Sequence, residues 1–295
     1  MNNIITFIVL CLFYTCAYNQ TYVEYYLLCN EADSMTYMGQ KKEALENYKK
    51  AFQTVDYVHV RNLEKAYSLS QQLKMFDDMY AFGRQLIINS GNDDFLKAAD
   101  VEFKSTDYYH ALKDSALYFK KMYEERINHR YIEIIDSLYY IDQRIIRNNK
   151  SVRGKYQIIR SELPENLFDL DSSNWNYLYQ LIHTFGFPSE RNIGLNAYGK
   201  AWAILHHNLR LKENEKYHPE IFQYVADGDY LPNDILVWYE QFQTQVYGRT
   251  FFTTWDNDIS EENLKRIDTN RRKFYMKGIN SLEFKKGGRF IITKW

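Results

Sequence analysis

Apolar residues recur at helical spacing over most of this 295-residue chain. In the clearest example, apolar residues recur every three or four positions with polar residues between them: Ile127, Tyr131, Ile134, Leu138, Ile141 and Ile145. This spacing places the apolar side chains on one face of an α-helix. Gly and Pro, which interrupt helices, number only 12 and 4. The pattern therefore predicts a mainly α-helical protein.

Residues 4–17 form an almost unbroken apolar run, IITFIVLCLFYTCA. A membrane-spanning helix needs about 20 apolar residues, so this run is short for one. It ends in two small residues at the spacing that signal peptidase recognises, Thr15 and Ala17. We expect residues 1–17 to be a signal peptide, and the exported chain to begin at Tyr18. The location is then periplasmic or extracellular, and no membrane span remains after cleavage.

Two alternatives to cleavage after Ala17 stay open. In the first, the chain is a lipoprotein anchored through Cys16, although Phe13-Tyr14-Thr15 differs from the Leu-Ala-Gly type of triplet that precedes a lipidated cysteine. In the second, the apolar run is not cleaved and stays as an N-terminal anchor. After cleavage Cys29 is the remaining cysteine. One cysteine forms no intrachain disulfide and provides no zinc-binding spacing. The fold must therefore be stabilised by packing.

Small residues recur in the first half at a period near 34, at Ala32, Ala66 and Ala99. The segment MGQKKEALENYKKAF resembles a tetratricopeptide repeat, and the matching positions are Ala32, Gly39, Ala44, Tyr48 and Ala51. Weaker copies follow in FDDMYAFGRQLI and YYHALKDSALYF, where Ala111 takes the place of Ala44. Small residues permit close helix crossings, and large ones fill the next gap. We expect three degenerate helical hairpins over residues 20–125.

The second half, residues 126–295, reads as an α-rich domain with short β hairpins. Polar capping residues at 171–174 precede the helical pattern WNYLYQLIHTFG, which Gly186 and Pro188 end. A second helix has a buried stripe at Ala197, Ala201, Ile204, Leu205 and Leu209, and a third spans residues 232–243. QVYGRTFFTTW and the segment around Lys286-Gly287-Gly288 predict a small antiparallel β element.

Composition and charge narrow the function classes. The chain has 37 Lys and Arg against 38 Asp and Glu, and this balance argues against a nucleic-acid binder. With 45% hydrophobic and 17% aromatic residues, it can build a sizeable core. It contains no signature of a serine or cysteine nucleophile and no glycine-rich phosphate loop. We expect no cofactor.

A set of short motifs in residues 130–285 resembles, in order and spacing, a bacterial family known as domain of unknown function 6624. The motifs are DQRIIR, DSSN, GFP, AWAILHHN, QVYG and RR before KGI. The chain departs from the family at His206-His207-Asn208, where members tend to have Gln-His-Asp, and at Glu240-Gln241, where they tend to have Asp-Arg. Residues 247–250, Tyr-Gly-Arg-Thr, stand where members have Tyr-Gly-Thr-Gln. The family brings no known activity with it.

The polar residues in these motifs define a candidate catalytic site: Asp142, Asp171, His207, Tyr247 and Arg271. A histidine near carboxylates and an arginine supports general acid–base chemistry, because imidazole titrates near neutrality. The competing interpretation is structural, with Asp171 as a helix cap and His207 hydrogen-bonded within the fold. A metal site from His206, His207, His218 and Asp227 is disfavoured, because adjacent helical residues point about 100° apart.

Two function classes follow from these observations. The first is an exported binding protein whose helical repeats hold a protein or peptide partner. The second is a hydrolase-like enzyme that uses the five-residue site, with the repeats recruiting substrate. Repeats of this kind usually bind rather than catalyse, so the first class is favoured. The sequence leaves the oligomeric state open.

Overall fold

The computed structural model describes residues 21–142, 173–248 and 261–276, and these residues are mainly helical, as predicted. The α-helices are α1 Thr21–Tyr37, α2 Lys41–Gln53, α3 Val60–Leu73, α4 Phe76–Ser90, α5 Val101–Lys104, α6 Asp107–Asp114, α7 Ala116–Arg126, α8 His129–Asp142, α9 Ser173–Phe185, α10 Glu190–Leu209, α11 His218–Ala226, α12 Pro232–Tyr247 and α13 Glu261–Lys273. Short 3₁₀ helices span Asp94–Leu96 and Lys212–Tyr217. Within the described ranges no residue forms a β-strand.

The chain divides into two compact units. Among the described residues, the terminal unit combines 21–56 with 209–248 and 261–276, and the middle unit contains 57–142 and 173–208. Helices α1, α2 and α11–α13 thus belong to the terminal unit, and α3–α9 with nearly all of α10 to the middle one. The predicted boundary between residues 125 and 126 rests on sequence pattern and stays a prediction.

The first hairpin, α1–α2, has the small-residue core that its sequence predicts. Ala32, Ala44 and Ala51 are fully buried, and Tyr48 fills the space between the helices at 1% exposure. The Tyr48 hydroxyl donates a hydrogen bond to the Asp33 carboxylate. Burial and the nearby Asp33 charge raise the pKa of Tyr48 well above its ordinary value, so the phenol stays neutral.

The next hairpin, α3–α4, buries Ala66 in the same manner, but the third departs from the prediction. Ala111 is exposed rather than buried at a helix crossing. Its neighbour Leu112 is buried instead, and a Cβ added at Gly83 would lie 2.7 Å from the Leu112 Cδ2 atom. The prediction for Ala111 is therefore wrong, because α4 provides the small residue and α6 the large one. Ala99 is buried but lies outside the helices, between the 3₁₀ helix Asp94–Leu96 and α5.

The long apolar stripe after residue 126 is divided between two segments by Asn128. The Asn128 side chain accepts a hydrogen bond from the Tyr131 N–H, which caps the start of α8. Its own N–H donates to the Asn192 carbonyl at 2.8 Å, so the chain breaks here to contact α10. Ile127 and Tyr131 are buried as the pattern predicts. The side chain of Ile141 and all of Ile145 lie outside the described residues.

The predicted helices of the second half are present as α9, α10 and α12. Gly186 ends α9 with a φ of 82°, and the predicted stripe of α10 is buried. The predicted β element is wrong at residues 245–247, which form the last turn of α12. Gly248, at a φ of 63°, caps that turn. The other residues of the predicted β segments lie outside the described ranges.

In residues 21–142, 173–248 and 261–276, no helix combines the length and the apolar character that a membrane crossing needs. The predicted signal peptide lies outside this part of the chain.

Candidate functional site

The five predicted site residues fall in different parts of the chain. Asp171 and the side chain of Asp142 lie outside the described residues. His207 is half-buried near the end of α10, in the middle unit. Tyr247 and Arg271 belong to the terminal unit, Tyr247 at 44% exposure and Arg271 at 8%. The predicted convergence of the five side chains stays a prediction.

Tyr247 belongs to a surface cluster that sequence reasoning did not identify. This cluster, the Tyr247 cluster, consists of Lys212, Glu215 and Tyr247. The Tyr247 hydroxyl donates to a Glu215 carboxylate oxygen at 2.5 Å and accepts from the Lys212 ammonium at 2.7 Å. Lys212 also forms an ion pair with Glu215 and lies 4.6 Å from the centre of the Tyr247 ring. Each of the three side chains therefore contacts the other two.

Local backbone geometry builds this cluster. Residues three apart eclipse on a 3₁₀ helix, so the helix Lys212–Tyr217 brings Lys212 beside Glu215. Tyr247 lies in the last turn of α12, where the left-handed conformation of Gly248 ends the helix. The side chain is thus left at the end of α12 and reaches the 3₁₀ segment.

The electrostatics of the Tyr247 cluster oppose acid–base catalysis at neutral pH. Hydrogen bonds from Lys212 and Tyr247 lower the pKa of the Glu215 carboxyl. Hydrogen bonds to Glu215 and Tyr247 raise the pKa of Lys212. Both groups are therefore held in their charged forms, whereas a general acid or base works best with a pKa near the operating pH.

Several aromatic side chains pack together close to this cluster, in the same unit. His218 is 4% exposed, and its ring centre lies 4.8 Å from that of Trp238 and 4.5 Å from that of Phe242. The Nε2 atom is 2.8 Å from the Leu209 carbonyl oxygen. A proton at Nε2 donates a hydrogen bond to that carbonyl. Burial lowers the pKa of His218, so the imidazole is held in its neutral form. His218 therefore serves packing in this unit.

The middle unit contains a second polar cluster, which is buried. Glu190, at 1% exposure, accepts hydrogen bonds from the Tyr57 hydroxyl at 2.9 Å and from the Val60 N–H at 2.7 Å. Since Glu190 starts α10 and Val60 starts α3, one carboxylate joins the beginnings of two helices. The Arg126 guanidinium lies 5.0 Å from the centre of the Tyr57 ring and donates to the Asn89 carbonyl.

These buried polar residues were missed because local patterns do not reveal them. Glu190 reads as an ordinary acidic residue in the first turn of a helix, and its partner Tyr57 is 133 positions away. Glu240 of α12, at 3% exposure, is a second buried carboxylate. The one signal for Glu240 is its position, where members of the resembling family tend to have an Asp.

The histidine-based metal site, already disfavoured, gains no support. His206 and His207 lie on α10 with ring centres 5.7 Å apart and ring planes 71° apart. Among the residues that the structure describes, no three His, Cys, Asp or Glu side chains are placed to hold a metal ion.

Comparison of the chain with protein-family models, with curated proteins and with solved structures finds no match. The resemblances to tetratricopeptide repeats and to domain of unknown function 6624 accordingly stay predictions from the sequence.

Proposed function

We propose that this protein is an exported binding protein that holds a protein or peptide partner on its third helical hairpin. The observation that carries the proposal is a group of exposed apolar side chains on α5–α7, here named the hairpin surface. Its members are Val101 at 81% exposure, Tyr108 at 45%, Leu117 at 81% and Tyr118 at 64%. Isolated exposed apolar residues are normal, but these four fall within residues 101–118.

Helix α7 has one face packed and one face open. Ala116 and Phe119 are buried at 6% and 5% exposure, while Leu117 and Tyr118 between them face solvent. Repeat arrays usually end in a hairpin whose outer face is polar, because an apolar outer face would associate. Fully burying one such side chain contributes about 1.5 to 3 kcal/mol. The open face of α7 therefore offers a partner apolar contact through Leu117 and Tyr118.

The charges around the hairpin surface favour a protein partner over a nucleic acid or an anionic membrane. Exposed residues of both signs alternate on α6 and α7, among them Lys113, Asp114, Lys121 and Glu125. Lys121 and Glu125 form an ion pair at 3.5 Å. Such a mixed surface lacks the basic excess that polyanion binding requires.

The enzyme alternative, a hydrolase-like site at Asp142, Asp171, His207, Tyr247 and Arg271, receives less support. Tyr247 lies in a cluster whose charged groups are fixed in their ionised forms. A binding protein needs no titrating group near neutrality, whereas hydrolysis by acid–base catalysis does.

Site-specific crosslinking in cells tests the proposed function. A photoreactive amino acid is placed at Leu117, and in a matched control at Lys113, which is exposed on the neighbouring helix α6. We expect discrete protein adducts from position 117, and their loss when Tyr118→Ser is added. Adducts of equal strength from both positions, or none from position 117, would contradict the proposal. Mass spectrometry of the adduct distinguishes another protein from a second copy of this chain.

A further inference from the structure

The start of α3 and the start of α10 meet at a buried polar contact in the middle unit, here named the α3–α10 junction. Glu190 binds the Val60 N–H and the Tyr57 hydroxyl, as described above. His59 lies between these two donors in sequence, at 2% exposure, with its ring centre 5.8 Å from that of Tyr57. The segment that carries His59 is therefore held on both sides by one carboxylate.

Further polar contacts fix the first turn of α10. The Asn192 carbonyl accepts from the Asn128 N–H, and the Asn192 side-chain amide donates to the Phe185 carbonyl at 3.1 Å. On the α3 side, the Asn89 side chain donates to the Val58 carbonyl at 2.7 Å. All of these bonds join residues of the middle unit, so they can open without unfolding the terminal unit.

The charged and titratable groups of the junction come from three helices and one loop. Tyr57 precedes His59 in the loop, and Arg61 follows it in α3. Glu190 comes from α10, and Arg126 from α7 stacks on Tyr57. Burial first, and then the Arg61 charge, lower the pKa of His59 from its ordinary value of 6.5 to about 3. The closed junction thus holds this imidazole neutral.

We propose that the α3–α10 junction is an acid-sensitive latch, which releases the first turn of α10 from α3 as the pH falls below neutrality. When the hydrogen bonds from the Val60 N–H and the Tyr57 hydroxyl to Glu190 break, the segment that carries His59 is no longer held against α10. The exposed imidazole then takes up a proton that the closed junction excludes. Proton uptake favours the open form progressively below pH 6.5, and the effect levels off near pH 3.

The magnitude follows from the two pKa values. A group with an ordinary pKa of 6.5 in the open form and about 3 in the closed form increases the opening equilibrium roughly 70-fold between pH 7 and pH 4.5. The acid response is assigned to His59. The carboxylate of Glu190 joins the two helix starts in the closed form.

Hydrogen exchange of the exported chain, measured at pH 7 and pH 4.5 and expressed as protection factors, tests the latch. We expect protection in residues 57–63 and 190–194 to fall roughly 70-fold, while residues 21–53 of the terminal unit change little. In His59→Asn, which cannot titrate, most of this fall should disappear. The matched control His129→Asn changes an exposed histidine and should behave as the unaltered chain does.

Two additional measurements keep the proposal testable if His59→Asn fails to fold. Glu190→Gln should lower junction protection already at pH 7, because a neutral amide replaces the carboxylate acceptor. The variant should still lose protection between pH 7 and pH 4.5, because His59 is unchanged. In the unaltered chain, the His59 imidazole should show no protonation in NMR spectra of the closed form above pH 4.5. Loss of protection in all helices together, or an unchanged response in His59→Asn, would overturn the proposal.

Discussion

The hydroxyl of Tyr123 lies where Gly194 has no side chain, and a Cβ at Gly194 would overlap it. Gly194 interrupts α10 with a φ of 73° and a ψ of 163°, a backbone conformation that is essentially restricted to glycine. The same tyrosine ring packs against Gly91, which caps α4 with a φ of 68°. Tyr123 is thus held between two glycines, and α10 bends to receive it.

This contact predicts opposite effects of two alanine substitutions in α10. Gly194→Ala should lower the free energy of unfolding by at least about 2 kcal/mol, because both the backbone conformation and the Tyr123 contact oppose a side chain. Gly199→Ala should raise it by about 0.4 to 1 kcal/mol, because Gly199 is helical and nothing lies within 4 Å of an added Cβ. Urea denaturation measures the free energy of unfolding of both variants. Equal effects would contradict the glycine-specific conformation and close contact at Gly194.

The first hairpin provides a second matched pair. Ala44→Leu should overpack the α1–α2 crossing and lower the free energy of unfolding by about 1 to 3 kcal/mol, because Ala44 is fully buried. Lys42→Leu changes an exposed position two residues away and should have little effect. Thermal melts of the two variants show whether the α1–α2 crossing is closely packed. Equally small shifts of the melting temperature in both variants would contradict the close crossing at Ala44.

The Tyr247 cluster predicts a change in titration. Tyr247→Phe removes one hydrogen bond that lowers the pKa of the Glu215 carboxyl, so that pKa should rise towards its ordinary value. The pH range in which Glu215 loses its charge should accordingly move upwards. NMR titration of the side-chain carboxyl measures the change, and an unaltered titration would show that the hydroxyl contributes nothing.

The predicted convergence of the five site residues can be tested by a double-mutant cycle. His207→Ala and Tyr247→Phe are mild changes, since both side chains are partly exposed. If the two side chains share a site, their effects on the free energy of unfolding should differ from additivity by at least about 0.5 kcal/mol. Additive effects would count against the enzyme alternative.

Processing is tested at the N-terminus. Sequencing of exported protein should find Tyr18 as the first residue, because Thr15 and Ala17 have the small side chains that signal peptidase requires. An acylated Cys16 at the N-terminus would establish the lipoprotein alternative, and an intact Met1 would establish the anchor.

The sequence predicts those features that depend on neighbouring residues. The stripe of α10 and the stop at Gly186 follow from periodicity and capping, and both are present. Residues 245–247 were misassigned because aromatic and β-branched residues favour strands, whereas here the preceding helix continues through them. The pairing of Glu190 with Tyr57 could not be predicted, because it joins positions 133 residues apart without any local signature.

The terminal unit also imposes an order on folding. The Tyr22 ring packs where a side chain at Gly228 would lie, and the Asn30 amide donates to the Tyr275 carbonyl at 2.7 Å. Helix α1 precedes the other described helices in the chain, yet it meets these partners only after some 200 further residues have been made. The middle unit can close from a continuous stretch of chain, whereas the terminal unit needs a long-range closure that is slower to find. Helix α1 can pack against α2 early, but its contacts with Gly228 and Tyr275 form only after the whole middle unit has been synthesised.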